Sequence, residues 1–372
     1  MTKAYKRCSR CVMDSTDPGI LFDADGVCMY CREAEIELPK YRYTPEQEKA
    51  NLDNLTKQIK TEAKGQYQAI VGLSGGVDSS YVTHLAKKLK INPLIVHFDN
   101  GWNSEKSVSN IKKIVDKCGF DLETYVINWP EFKDLQRSFF KAGVVDIEIL
   151  SDHAIMATMF KLRRKHNIKF VLSGSNYVTE HGMPLAWLWR KQDLTNIRGI
   201  QKQFGTKPLK EFPTLSSIEF QFIKMFGWGG IYIELLNQIN YSKKEALETL
   251  IKEYNWEYYG GKHYESTFTK FYQAYVLPEK FGYDKRKVHL SALIRNNEMT
   301  RDEALKELEK PAYDPGELKI DKEFVLKKLG FSEQEFERMM KEKPKEHLDY
   351  PSDEWVFKIW RKVKPHLAKK SK

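Results

Sequence analysis

The chain has 372 residues, 41% of them hydrophobic and 30% charged, with a net charge of +10. That length accommodates two or three domains with sizeable cores, and that balance excludes a disordered or fibrous chain. No apolar run approaches the roughly 20 residues of a spanning helix and the start, Met1 to Cys8, has no apolar signal region, so a cytoplasmic protein without a membrane partner is expected.

Four of the five cysteines pair as Cys8-x-x-Cys11 and Cys28-x-x-Cys31. Each pair lets one tight turn offer two thiolates to one ion, so residues 1–40 read as a ribbon around a structural zinc. The alternative, two redox pairs, lacks the surrounding βαβ pattern. Cys118 is left over in a helical stretch and reads as a small buried hydrophobe. A helix follows from the capping box Thr44-Pro45-Glu46-Gln47, with Leu52, Leu55 and Ile59 on one face and Gly65 as its stop.

From Tyr67 strands and helices alternate: strand 69–73, helix 78–90, strand 93–98, helix 104–118, strand 122–127, helices 131–143 and 151–167, and strand 168–172. Such alternation predicts a doubly wound parallel sheet over residues 41–212, with ligands beyond the carboxyl ends of its strands. The first strand runs into Ser74-Gly75-Gly76-Val77-Asp78-Ser79-Ser80 at the mouth of a helix. Glycines that let backbone N–H groups converge, hydroxyls on Ser74, Ser79 and Ser80, and a helix N-terminus together suit a phosphate. No Gly-Lys-Ser/Thr follows, so this is not a Walker-type loop. It resembles the PP-loop of ATP pyrophosphatases, which implies an adenine nucleotide alpha hydrolase-like fold and cleavage of ATP between its α and β phosphates. Asp78 is a candidate for magnesium, directly or through water. Asp99, in His97-Phe98-Asp99-Asn100-Gly101-Trp102, and Gly174, in Ser173-Gly174-Ser175-Asn176, end two further strands and complete an ATP site.

Beyond residue 213 the alternation stops and capping boxes recur at Ser242/Glu245, Thr300/Glu303 and Ser332/Glu335, so residues 213–372 read as a mostly helical domain that completes the active site. Its cations include Lys262, in Gly260-Gly261-Lys262-His263-Tyr264-Glu265, and Lys285 and Arg286. Lys262, Lys285 and Arg286 are candidates to neutralise the leaving pyrophosphate. Glu180, His181, Arg190, His263 and Glu265 are candidates for the second substrate, with Trp187 and Trp189 as stacking surfaces.

The cysteine pairs, the PP-loop, His97 to Trp102, Ser173 to Asn176, Glu180-His-Gly-Met-Pro184, Tyr259 to Ser266, Phe281 to Ser291, Met299 to Leu305 and Pro311 to Asp314 run in that order from Cys8 to Asp314. Together they resemble the N-acetyl sugar amidotransferase family of bacterial surface-polysaccharide biosynthesis. The resemblance implies conversion of an acetamido group on a sugar or sugar nucleotide into an acetamidino group, with ATP and Mg2+. The amide oxygen attacks the α-phosphorus, the O-adenylyl imidate takes ammonia, and AMP and pyrophosphate leave. It further implies a separate glutaminase subunit and a cyclase-like ammonia-channel subunit. A thiolating tRNA-modifying PP-loop enzyme is the rival that the positive charge suits, but only Cys118 is available for sulfur relay, so nucleic acid is not an expected partner. A zinc-ribbon adaptor without turnover is the other, and an intact PP-loop argues against it.

Overall fold

A computed structural model describes residues 4–261 and 264–368. Five parallel strands form one sheet: β1 (Ala69–Gly72), β2 (Pro93–Asp99), β3 (Leu122–Val126), β4 (Phe170–Ser173) and β5 (Ile231–Glu234), in the order β3-β2-β1-β4-β5. The chain winds from β1 outward to β3, then crosses back to lay β4 on the other side of β1. The strand order therefore reverses between β1 and β4, the place where a doubly wound sheet leaves a crevice for ligand.

Four strands fall where alternation predicts them, and β5 is the difference. Residues beyond 213 are mostly helical, yet Ile231–Glu234 pairs in parallel with Phe170–Ser173. As an edge strand β5 buries only Ile233, with Tyr232 65% exposed, so it lacks the apolar run that marks β1 and β2. Against one sheet face pack the Val77–Lys88, Glu105–Cys118 and Lys243–Tyr254 helices through Val82, Leu85, Ile114 and Leu250. Ile70, Leu94, Val96 and Val171 meet Leu162 of the Ile149–Lys165 helix in another cluster. A separate aromatic core joins the Trp129–Ala142 helix to the C-terminal helices through Phe132, Phe139, Phe271, Tyr272 and Phe336.

Capping decides several helix starts. Thr44 with Gln47 and Thr300 with Glu303 form complete capping boxes, whereas Ser242 and Ser332 act through the serine hydroxyl. Tyr272–Phe281 is a π-helix of 10 residues with Pro278 inside it. A proline cannot donate to the ladder, and widened turns of this kind accompany functional sites. No helix among the described residues is long and apolar enough to cross a membrane.

Candidate active site

β1 ends at Gly72, and the next turn is shaped by Gly75, whose φ of +81° suits glycine. A Cβ on Gly75 would lie 2.6 Å from Ser107 Oγ and 2.8 Å from Ser107 O, so the loop is pressed against the Glu105–Cys118 helix. Ser107 Oγ donates to Ser74 O at 3.0 Å. Within the loop, Gly76 N–H donates to Ser74 Oγ at 3.1 Å and Ser74 N–H to Ser79 Oγ at 3.2 Å. Gly76 is the N-cap of the Val77–Lys88 helix and brings no side chain to it, which leaves the positive helix end for an anion. The loop after β4 closes in from the other side of the crevice: a Cβ on Gly174 would meet Asp78 C and Ser79 N at 3.0 Å.

Two cavities open on this turn. The first, about 210 Å3, is lined by Ser74, Gly76, Asp78, Ser79, Gly174, Glu180, Lys243, Tyr259 and Glu265, among others. Asp78 Oδ1 accepts from the buried Tyr241 hydroxyl, which fixes the carboxylate at the helix start. Burial, with Glu265 and Asp78 nearby, raises Tyr259 well above the ordinary phenol range and keeps its hydroxyl a donor beside Gly76. Lys243 is a cation here that no motif marks, hidden in the first turn of an ordinary amphipathic helix. Lys262 and His263 lie outside the described residues.

The second cavity, about 380 Å3, shares Ser74 and Glu265 with the first and extends past Val96, Phe98, Asn100 and Asn103 to a buried charged cluster. Lys285 is 8% exposed and pairs with Glu148 Oε2 at 2.9 Å. Burial works against its charge, but Glu148 and Asp146 outweigh it, so its pKa is raised and it stays an ammonium. Glu148 also accepts from Gln273 of the π-helix at 2.8 and 3.0 Å. Asp146 is 7% exposed, in the left-handed conformation at φ +64°, with Oδ2 accepting from Trp189 N–H at 2.7 Å. Burial pushes its carboxyl up to about 7 against the pull of Lys285 and the Trp189 N–H. Asp146, Glu148, Asp152 and Gln273 stand outside every motif, and sequence reasoning misses them. The available signal is charge inside the apolar stretch Ala142 to Leu150.

Several expected site residues sit elsewhere. Ser80 is fully buried in its helix, and its hydroxyl has no partner and lines neither cavity. Asp99 lines neither; its Oδ1 takes Gly101 N–H at 2.8 Å and Asn103 Nδ2 at 3.3 Å, so it acts through Asn103. His181 is 7% exposed, donates from Nδ1 to Tyr177 O at 2.7 Å and stacks on that ring at 4.8 Å. Burial, with Arg295 nearby, lowers its pKa to about 4, so it is a neutral packing residue. Arg190 pairs with Glu354 and lies over Trp189 at 5.1 Å and Phe357 at 4.8 Å, which occupies it with the C-terminal helix. Arg286 turns back on Asp284 at 2.7 Å and donates to Lys310 O at 2.8 Å. Long flexible cations take the nearest carboxylate, and sequence adjacency to Lys285 does not make Arg286 share its cavity.

The four cysteines are fully buried, with sulfurs all within 4.8 Å of one another. The Cys11–Cys28 and Cys8–Cys31 sulfurs are 3.7 and 4.0 Å apart. A tetrahedron with Zn–S bonds of about 2.3 Å has edges of about 3.8 Å, so the donor set fits zinc. The N–H groups of Arg10, Cys11 and Cys28 point at Cys8 Sγ at 3.2 to 3.4 Å, as suits a thiolate ligand. Cys118 is half-buried, and its thiol is 3.6 Å from Tyr254 OH, away from both cavities.

Residues 52–175, which carry the PP-loop, match the asparagine synthase family, and residues 265–364 match the family described as LPS biosynthesis protein WbpG-like, C-terminal domain. An uncharacterized protein of Methanocaldococcus jannaschii is 23% identical over 314 residues, 82% of this chain and 94% of that protein. One of the subunits of the glutamine-hydrolyzing GMP synthase of Archaeoglobus fulgidus is 32% identical over 134 residues, 34% of this chain and 40% of that protein. Among solved structures, NMN synthetase from Francisella tularensis aligns with 57% of this chain and 94% of its own, at 18% identity and a TM-score of 0.30.

Proposed function

We propose that this chain, a PP-loop protein of the amidotransferase-like kind found in lipopolysaccharide biosynthesis, is the synthetase that turns an acetamido group on a sugar or sugar nucleotide into an acetamidino group. The observation that carries the proposal is the pairing of two cavities at one turn. A helix N-terminus with Ser74, Ser79, Asp78 and Lys243 suits pyrophosphate with Mg2+, and the larger chamber behind Ser74 suits a polar acceptor.

An amide carbonyl is a poor electrophile. Attack of its oxygen on the α-phosphorus of ATP forms a P–O bond, breaks the bond to pyrophosphate and, as the amide N–H proton passes to solvent, leaves the carbon as an O-adenylyl imidate. The PP-loop stabilises the charge that grows on pyrophosphate. Ammonia then adds to that carbon, the C–O bond breaks, and AMP leaves with the oxygen. No covalent enzyme intermediate is needed, and among the described residues no thiol lines either cavity. That observation also weighs against the thiolating tRNA-modifying rival. Ammonia comes, in this reading, from a glutaminase subunit through a cyclase-like channel subunit. The GMP synthase relative, named as one of the subunits of a glutamine-hydrolyzing enzyme, has a comparable division by name.

The test is incubation of the chain with ATP, Mg2+, acetamido sugars and ammonium, with mass spectrometry for exchange of oxygen for NH and assay of AMP and pyrophosphate. Formation of both with no modified sugar in any mixture sinks the reading, as does efficient use of glutamine by this chain alone.

A further inference from the structure

The proposed reaction needs a step that the PP-loop does not supply. Ammonia handed over by a partner's channel arrives with its lone pair, but the chain acting alone near neutral pH meets mostly ammonium, which has no lone pair to attack the imidate. A base must take its proton inside the site.

The larger chamber holds the features of such a base. Asp146 lines it together with Glu148, Asp152 and Lys285, and the same chamber reaches Ser74 of the PP-loop. Lys285 and Glu148 satisfy one another at 2.9 Å, so the pair carries no net charge. Asp146 is held by its backbone. Its N–H donates to the Tyr272 hydroxyl at 2.8 Å, Trp189 N–H donates to its Oδ2 at 2.7 Å, and the residue keeps a φ of +64°. Asp is one of the few non-glycine residues that take that conformation readily, so the turn fixes the direction of the carboxylate. Thr158, 2% exposed, stands in the chamber wall with its hydroxyl oxygen buried and without a hydrogen-bond partner, a polar atom that a change of rotamer would offer to an N–H donor.

We infer that Asp146 is the general base that takes a proton from an ammonium ion admitted to this chamber, an inference that rests on the amidine-forming reaction proposed above. The carboxylate receives one proton, ammonia keeps its lone pair and forms the C–N bond, the C–O bond to AMP breaks, and the product leaves as an amidinium ion. The groups facing Asp146 are Lys285, Glu148, Asp152, the Tyr272 hydroxyl and the Trp189 N–H. Burial, opposed by Lys285 and the Trp189 N–H and reinforced by Asp152 and Glu148, pushes its carboxyl up to about 7, where a base is half ready at working pH. Lys285 cannot serve, since it stays protonated.

The experiment uses the full chain with ATP, Mg2+ and UDP-N-acetylglucosamine among other acetamido sugars, with ammonium chloride or hydroxylamine as nucleophile. Hydroxylamine is largely neutral at pH 7 and needs no base to free its lone pair. Asp146→Asn keeps the shape and tolerates a positive φ. It should cut ammonium-dependent product on the order of 100-fold, the usual worth of a general base, while the hydroxylamine product falls far less. Wild-type rate with ammonium should rise with pH to a plateau above about 7, and with hydroxylamine should lack that limb. Equal losses with both nucleophiles, or a wild-type ammonium rate that climbs without a plateau, overturn the role of Asp146. If no acetamido sugar elicits pyrophosphate release from the wild type, the proposed function itself fails, and that outcome is distinct from the other two.

Discussion

Replacing Gly75 by alanine tests whether the PP-loop is built as a tightly backed phosphate cradle. The residue has φ +81°, and an added Cβ would stand 2.6 Å from Ser107 Oγ and 2.8 Å from Ser107 O. A left-handed alanine costs about 1–2 kcal/mol and overpacking a further 1–3 kcal/mol, so Gly75→Ala should lose about 2–5 kcal/mol of stability. Gly119→Ala is the control: its φ is +72°, and nothing lies within 4 Å of the added Cβ. It should lose only the conformational part, about 1–2 kcal/mol. Relief of the clash moves Ser107, which holds Ser74 O at 3.0 Å, so the loop itself shifts. A loss of about 1.4 kcal/mol in phosphate contacts is tenfold in affinity. Urea unfolding of both variants, with ATP titration by calorimetry, reads the two effects. Identical urea midpoints for the two variants, with wild-type ATP affinity in Gly75→Ala, would refute the tight-cradle argument.

Tyr241→Phe removes the hydroxyl that donates to Asp78 and should cost about 1.5–3 kcal/mol in urea unfolding, as a hydrogen bond to a charged group does, and weaken Mg2+-ATP binding. Arg190→Ala should leave the acceptor KM unchanged and cost about 1 kcal/mol, read as faster hydrogen exchange in the segment after Glu354, because its partners are Glu354 and Phe357. His153 is fully buried, donates from Nδ1 to Lys191 O and accepts Leu215 N–H at Nε2. Burial lowers its pKa to about 4. The unfolded chain takes up that proton near pH 6.5 and the folded one near 4, so stability from neutral His153 is complete above about 6.5 and is lost as pH falls to about 4, at most about 3 kcal/mol. His153→Gln should flatten the fall in stability across that window. Metal analysis should find one zinc per chain, and Cys28→Ser should abolish it.

What the sequence made legible was local. The PP-loop, strands β1 to β4 and the cysteine quartet each lie within a few residues of their own signal. β5 was not legible because an edge strand of four residues with one buried side chain has no periodicity of its own; it is a strand through β4. Pairings of charge were equally hidden. Glu354 stands 164 residues from Arg190, and Glu148 stands 137 from Lys285, yet these contacts decide that one cation braces a helix and the other faces the chamber. His181 follows β4 closely enough to read as a contact for the second substrate, and burial against Tyr177 makes it packing instead.

The same geometry gives the four-cysteine segment a role beyond its own folding. About 40 residues bury too little to fold alone, so a ribbon of this size depends on its metal. Val12 N–H donates to Ser291 Oγ at 3.3 Å, and Arg295, 4% exposed, reaches Cys11 Sγ at 3.6 Å. Both Ser291 and Arg295 belong to the Arg286–Arg295 helix, whose N-cap is Lys285. Arg301, in the next helix, donates to the carbonyls of Cys11 and Cys8 at 3.2 Å. One short helix therefore carries the chamber's ammonium at its start and a contact to a sulfur of the four-cysteine cluster at its end. Without the metal, Arg295 keeps a buried charge whose thiolate partners protonate or separate, and that helix end loses its support. Removal of zinc by a chelator should then speed hydrogen exchange in the Arg286–Arg295 helix before it reaches the Val77–Lys88 helix, and impair acceptor turnover more than ATP binding. Equal protection of the Arg286–Arg295 helix with and without zinc would show that the aromatic core alone holds Lys285 in place.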